Sequence, residues 1–215
     1  VNYPGGGSFR DFVVIHQDDV NMQFANGVTF NPPGGPTLSF DAGDPVPTVA
    51  HEEEPEDSGM KGINYRTDPI WHRLGVGPTT VGTRTVDYTN AFASLGDVDP
   101  VIPIYEAKVG EAIRLRILKP GGHNRNSVPT LHGFVWARYP YSNDDGKYGG
   151  FDDSQWIDPG NENTFWHGEQ MGHGPSNHIN VVPLGGCPAT GDFLYRDMVP
   201  VHVDNGEWAI VRCGS

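Results

Sequence analysis

The chain has 215 residues, enough to bury a sizeable core as one large β domain or as a domain with a long extension. Its 14 basic against 27 acidic residues leave a formal charge of −13. That balance disfavours nucleic acid and anionic membrane as partners and suits metal cations, a basic partner or a plain solvated surface. Gly 29 and Pro 19 together exceed a fifth of the residues. No segment carries a long 3.6-residue apolar period, so short strands, turns and long loops are expected. No apolar run approaches the ~20 residues that span a bilayer. The opening VNYPGGGS has neither the basic nor the apolar region of a signal peptide, as expected of a mature, processed or excised chain.

In chain order, RDFVVIH (10–16) alternates poorly and reads as a strand buried on both faces, with QDDVN breaking it. Residues 26–36 (NGVTFNPPGGP) read as turn chemistry with no regular element. The stretch from His51 to Leu74 reads as an irregular connector, acidic at its start and packed down by Ile63, Tyr65, Ile70, Trp71 and Leu74. Residues 37–100 as a whole are expected to be ordered wrapping; loops this long usually serve a partner or a site. Residues 101–119 predict two strands around a Lys-Val-Gly-Glu turn. In the second, Ile113, Leu115 and Ile117 face inward, while Arg114, Arg116 and Leu118 face the other way. Residues 128–139 predict a further strand, 141–176 a Gly/Asp/Asn-rich excursion, and 177–184, 191–197 and 207–213 the remaining strands. Five or more short strands with turns between them describe an all-β Greek-key sandwich with a long irregular N-terminal extension.

Among the nine histidines, His167, His173 and His178 fall with Met171 inside WHGEQMGHGPSNH. Imidazole and thioether together suit copper, although irregular spacing in a loop equally describes surface histidines. His132, in TLHGF, sits on a strand and is a further candidate metal ligand. A lone strand histidine is more often a satisfied core residue, so a buried, metal-free His132 is the favoured expectation. His123, in the turn GGHNRN, is expected to be exposed. The acidic loop from Ser142 to Asn163 and the run HEEEPED (51–57) carry oxygen donors enough for calcium, without the spacing of an EF-hand loop. No G-x-S-x-G, Gly-rich phosphate loop, H-E-x-x-H or C-x-x-C occurs. Hydrolase, nucleotide-cofactor and zinc-ribbon chemistry therefore have no local support. Cys187 and Cys213 flank the last strands and could meet across them. Their disulfide would close a loop of ~26 residues, worth roughly 3 kcal/mol in the chain-entropy model, and would place the protein outside the cytosol. Two free buried thiols are the alternative.

The order of these stretches resembles the large bacterial multicopper oxidases, the manganese-oxidase-like ones among them. RDFVVIHQDDVN, NGVTFNP, EPEDSGMKGINYRTDP and HRL carry the first half of the resemblance. DPVIPIYEAKVGEAIRLRILKPGGHNRNSVPTLHGFVW, SNHINVV and GDFLYRDM carry the second. The resemblance implies cupredoxin domains, extracytoplasmic placement, copper-oxidase ancestry and other cupredoxin domains or oxidase subunits as partners. It divides the chain into partial cupredoxin strands plus an ordered connector (1–94) and a cupredoxin-like domain (95–215). The chain departs from those oxidases at the ligands. It contains no His-x-His, whereas a trinuclear copper cluster needs four such pairs. Where the oxidases read H-P-x-H-x-H-G, this chain has Ser127-Val128-Pro129-Thr130-Leu131-His132-Gly133. Where they read His-Cys-His, it has Tyr195-Arg196-Asp197. The expectation is a module of a larger oxidase, an internal or C-terminal portion or a split subunit, with its own copper positions vacated. An autonomous copper oxidoreductase built on the His-rich loop, and a structural or calcium-binding β module, are the two alternatives.

Overall fold

The computed structural model describes residues 7–31, 35–48, 59–78, 86–94, 98–120, 127–137, 165–166 and 177–215. Two four-stranded sheets pack face to face. One has the order β10-β6-β1-β4, built from Asn177–Val181, Ile113–Lys119, Arg10–Val20 and Met60–Ile63. The other has the order β5-β12-β11-β7, built from Ile104–Lys108, Trp208–Gly214, Gly191–Asp197 and Pro129–Leu131. Each sheet contains one parallel pair, β1 with β6 and β12 with β5; the remaining pairs are antiparallel. Two small ribbons, β2 (Val28–Phe30) with β3 (Leu38–Phe40) and β8 (Trp136–Ala137) with β9 (Phe165–Trp166), lie outside the sandwich. Helices are confined to α1 (Ile70–Arg73) and α2 (Pro200–Asp204) among the described residues.

The period-2 pattern of β6 is realised as read. Ile113, Leu115 and Ile117 are buried, and Arg116 on the other face is exposed. Between the sheets these side chains meet Val14, Leu131, Trp136, Tyr195, Ala209 and Val211. Each large apolar side chain so buried contributes on the order of 1.5–3 kcal/mol. The turn after β5 carries the chain across to the opposite sheet, so β5 and β6 do not pair with each other. The Cys187–Cys213 disulfide forms as expected, beside the start of β11, where Gly191 pairs with Cys213.

Four local readings are corrected. First, β1 does not stop at His16 but runs through Gln17 and Asp18 to Val20, with an irregularity in register between Gln17 and Val20. Polar residues continue the strand here because β4 supplies backbone partners and Lys61 and Lys119 supply counter-charges for Asp18. Nor is β1 buried on both faces, since Val13 is exposed. Second, Val28-Thr29-Phe30 is a strand despite its turn-rich flanks. Pairing with Leu38–Phe40 lets Phe30 and Phe40 pack into a small core around Trp71 and Phe24. Third, the connector contains β4 and α1. Ile63, Ile70 and Trp71 are buried, but Tyr65 is 79% exposed, in the left-handed region with φ 60. Fourth, the strand expected over 128–139 is interrupted after Leu131. Gly133 turns there with φ 80, and a Cβ at that position would lie 2.9 Å from the Phe193 ring.

A buried ionic cluster as the candidate functional site

At the end of β11 the chain turns through Met198 and Val199 into the five-residue α2 and returns as β12. This loop brings ionisable side chains to one end of the sandwich at intervals of five residues, namely Asp197, His202 and Glu207. His16 joins them from β1 in the facing sheet. All four residues are fully buried. Gly206 makes the return possible. Its φ is +106, and a Cβ there would sit 1.9 Å from Thr67 Oγ1, so only glycine lets the turn pack against the segment before α1 and aim Glu207 inward.

The hydrogen bonds are specific. His16 Nδ1 lies 2.7 Å from Glu207 Oε1, and His16 Nε2 lies 2.6 Å from the Tyr195 hydroxyl. Burial pushes the Tyr195 phenol well above 10. The hydroxyl therefore keeps its proton and donates it to Nε2 when the imidazole is neutral with its proton on Nδ1. Asp197 accepts from the Val199 amide at 2.8 Å and from the Val128 amide at 3.2 Å, both onto Oδ1. His202 Nδ1 stands 3.1 Å from Asp197 Oδ2 and 3.2 Å from Glu207 Oε2. Burial by itself lowers the His202 pKa, but the hydrogen-bonding Asp197 and Glu207 carboxylates outweigh it and raise it to about 10. For Glu207, burial favours the neutral acid, yet the two imidazoles hold it well below the usual carboxylate range. A second layer surrounds this one. Asp18 lies 3.3 Å from Lys119 Nζ and 3.6 Å from Lys61 Nζ, and Lys119 also donates to Ser127 Oγ at 2.8 Å. Burial raises the Asp18 pKa against the pull of both ammonium groups.

The expected metal ligands are not brought together by the described residues. His132 is exposed at the end of β7, and its Nε2 accepts from Arg196 Nε–H at 3.1 Å. The expectation of a buried His132 is therefore corrected: the strand ends at Leu131, and the turn at Gly133 carries the imidazole outward. His178 is exposed on β10, in the other sheet. His167, Met171, His173 and His123 lie outside the described residues, as do the acidic stretches 142–163 and 51–57. His16, His202 and Glu207 were not singled out in the sequence. The available signal was ligating residue types at a repeated interval of five between two strands, together with one histidine ending an apolar run.

Copper is the metal that the resemblance implies, and the buried cluster does not fit a blue-copper centre. Such a centre needs a thiolate with two imidazoles, and both cysteines are taken up in the disulfide at the opposite end of β11 and β12. The cluster offers carboxylates and imidazole, with no thiolate. Among the described residues, His16, Asp197 and Glu207 form the group whose ligand atoms lie close enough to share an ion, all within 4.8 Å of one another.

No protein-family model matches the chain, and no curated protein does. Its fold is similar to that of several solved copper proteins. With the multicopper oxidase from Campylobacter jejuni, a metallo-oxidase, identity is 13% and the TM-score 0.45, over 99% of this chain and 32% of that one. With the copper-containing nitrite reductase from Thermus scotoductus the figures are 14% and 0.44, over 98% and 32%. With the blue copper oxidase from Nitrosomonas europaea they are 14% and 0.43, over 95% and 43%. The likeness is one of fold. Two packed sheets, each with a single parallel strand pair, make this an all-β, cupredoxin-like sandwich. The chain spans between about a third and less than half of the length of these proteins.

Proposed function

We propose that the chain is a cupredoxin-like module of a larger, extracytoplasmic assembly of the multicopper-oxidase type, manganese-oxidase-like, in which the redox copper is held by other domains or subunits. In this reading residues 1–94 contribute partial cupredoxin strands and an ordered connector, and residues 95–215 the cupredoxin-like domain itself. The observation that carries it is the end of β11. The resemblance expects a His-Cys-His copper set there, and Tyr195-Arg196-Asp197 stands there instead, with Arg196 opposite the cysteine and Asp197 tied to the Val128 and Val199 amides and facing His202. Neither a guanidinium nor a carboxylate can supply the covalency of a thiolate, so in this reading the module loses electron-transfer chemistry at this position while keeping the shape of the domain. The disulfide favours an oxidising compartment. Among the described residues no helix is long and apolar enough to cross a membrane.

The test is oxygen consumption. Loaded with copper(II) and offered manganese(II) or a phenol as reductant, the chain alone should consume no oxygen, and consumption should appear only with the copper-bearing partner domains present. Sustained turnover by the isolated chain would overturn the module reading and favour the autonomous oxidoreductase.

A further inference from the structure

Beside α1, between the segment that leads into β2 and the start of β4, lies a cavity of about 440 Å³. Its volume is that of small-molecule sites, which run from roughly 300 to 1,000 Å³. Met22, Phe24, Val46 and Met60 give it apolar walls, and Asp68 and His72 also line it. Of the other polar lining residues, Thr67 already donates to the Asn205 carbonyl, and Gln23 and Asn26 are exposed. Asp68 and His72 are therefore the pair that can fix the orientation of a guest.

Both side chains are held in place before any guest arrives. Asp68 has its charge met on one oxygen, where Arg73 Nη1 donates to Oδ2 at 2.7 Å. Arg73 is itself fixed by the Ala91 carbonyl and the Trp208 ring, and it does not line the cavity. His72 is positioned by packing, with the rings of Phe24, Phe30 and Trp71 at 6.3, 5.8 and 5.8 Å. Its nitrogens make no hydrogen bond among the described residues, and its Nδ1 stands 4.0 Å from Asp68 Oδ1. That separation is too long for a hydrogen bond, but one oxygen can bridge it. Two hydrogen bonds of about 2.8–2.9 Å that meet near a right angle span it.

We propose that this cavity binds a neutral, mainly apolar molecule that carries a hydroxyl group. The apolar body lies against Met22, Phe24, Val46 and Met60. The hydroxyl donates to Asp68 Oδ1 and accepts from a His72 N–H. Charge decides the class of guest. Arg73 already answers the carboxylate, so a guest needs no positive charge, and burying one would cost its hydration. An anionic guest would meet Asp68 unfavourably. The inference is independent of whether the chain serves an oxidase.

The probe is benzyl alcohol, titrated into the native chain beside toluene, benzylammonium and benzoate, with methionine methyl resonances as the readout. Benzyl alcohol should shift the Met22 and Met60 methyls and leave the half-exposed Met198 unmoved. It should bind about tenfold more tightly than toluene, the effect of one hydrogen bond to a charged group, and more tightly than either ion. His72→Phe keeps the ring packing and removes the N–H, so it should bring benzyl alcohol towards the toluene level. Val46→Trp, which fills the cavity, should abolish the shifts. If a variant fails to fold, the four probes on the native chain still decide. No binding of benzyl alcohol, equal binding of toluene, or tighter binding of benzylammonium or benzoate would each overturn the proposal. So would unchanged affinity in folded His72→Phe.

Discussion

Arg212 on β12 and His202 in α2 are both cations gripped by two acids, yet the two clusters differ in nearly every energetic respect. Arg212 donates to Asp192 and Asp99 through four bonds of 2.8 Å, with all three side chains between 29% and 45% exposed. His202 faces Asp197 and Glu207 at 3.1 and 3.2 Å, with no side-chain exposure. Hydrogen-bond geometry is better at the surface, but water would solvate each surface partner if the other were removed. In the interior nothing would, so a missing partner leaves an uncompensated charge. Accessibility, more than bond length, decides which cluster governs the fold.

That contrast can be broken by substitution. Asp197→Ala should cost the most, about 3–5 kcal/mol, because it strips His202 of one counter-charge and leaves the Val128 and Val199 amides without their carboxylate. Urea unfolding at constant m-value would measure it, and a loss below about 1 kcal/mol would mean that the buried cluster is not what holds this end together. Next, the paired change of Cys187 and Cys213 to Ser should cost about 3 kcal/mol through the freed unfolded chain. The native protein should show the same loss on reduction. Gly206→Ala should cost about 1–3 kcal/mol from the left-handed backbone, with the Thr67 clash added to it.

At the surface end of the series, Arg212→Gln should cost less than about 1 kcal/mol, and added salt should shrink even that. Asp11 lies between the two extremes, being itself mostly covered while its partners Arg114 and Arg116 are more open. Its hydrogen bond from Arg114 outweighs burial, and with Arg116 holds its carboxyl below the usual 3.8. A depressed carboxylate contributes stability that is present above its unfolded pKa and is lost as pH falls through the folded one. Stability should therefore fall below about pH 4, and Asp11→Asn should flatten that part of the slope by up to about 1 kcal/mol. An unchanged acid limb in the variant would remove Asp11 from the account.

The parts of the fold legible in the sequence were those where one face meets a core and the other meets water. In β6 the alternation of Ile113, Leu115 and Ile117 with arginines placed every side chain correctly. Legibility ended where a polar residue was buried by a partner far along the chain. Asp18 reads locally as turn chemistry, and it is pairing with β4 and the counter-charges of Lys61 and Lys119, the latter about a hundred residues on, that make it a strand residue. The site was hidden for the same reason. His16 and Glu207 meet across 191 positions, which no spacing rule covers, whereas His132, singled out by its glycine neighbour, turned outward to Arg196.

The central claim is that the end of β11 is built for charge and not for electron transfer. Visible absorption of the copper(II)-loaded native chain tests it most directly. The account predicts no intense blue thiolate-to-copper band, since both cysteines are bonded to each other and leave no thiolate to ligate copper. The appearance of that band at near-stoichiometric copper would contradict it.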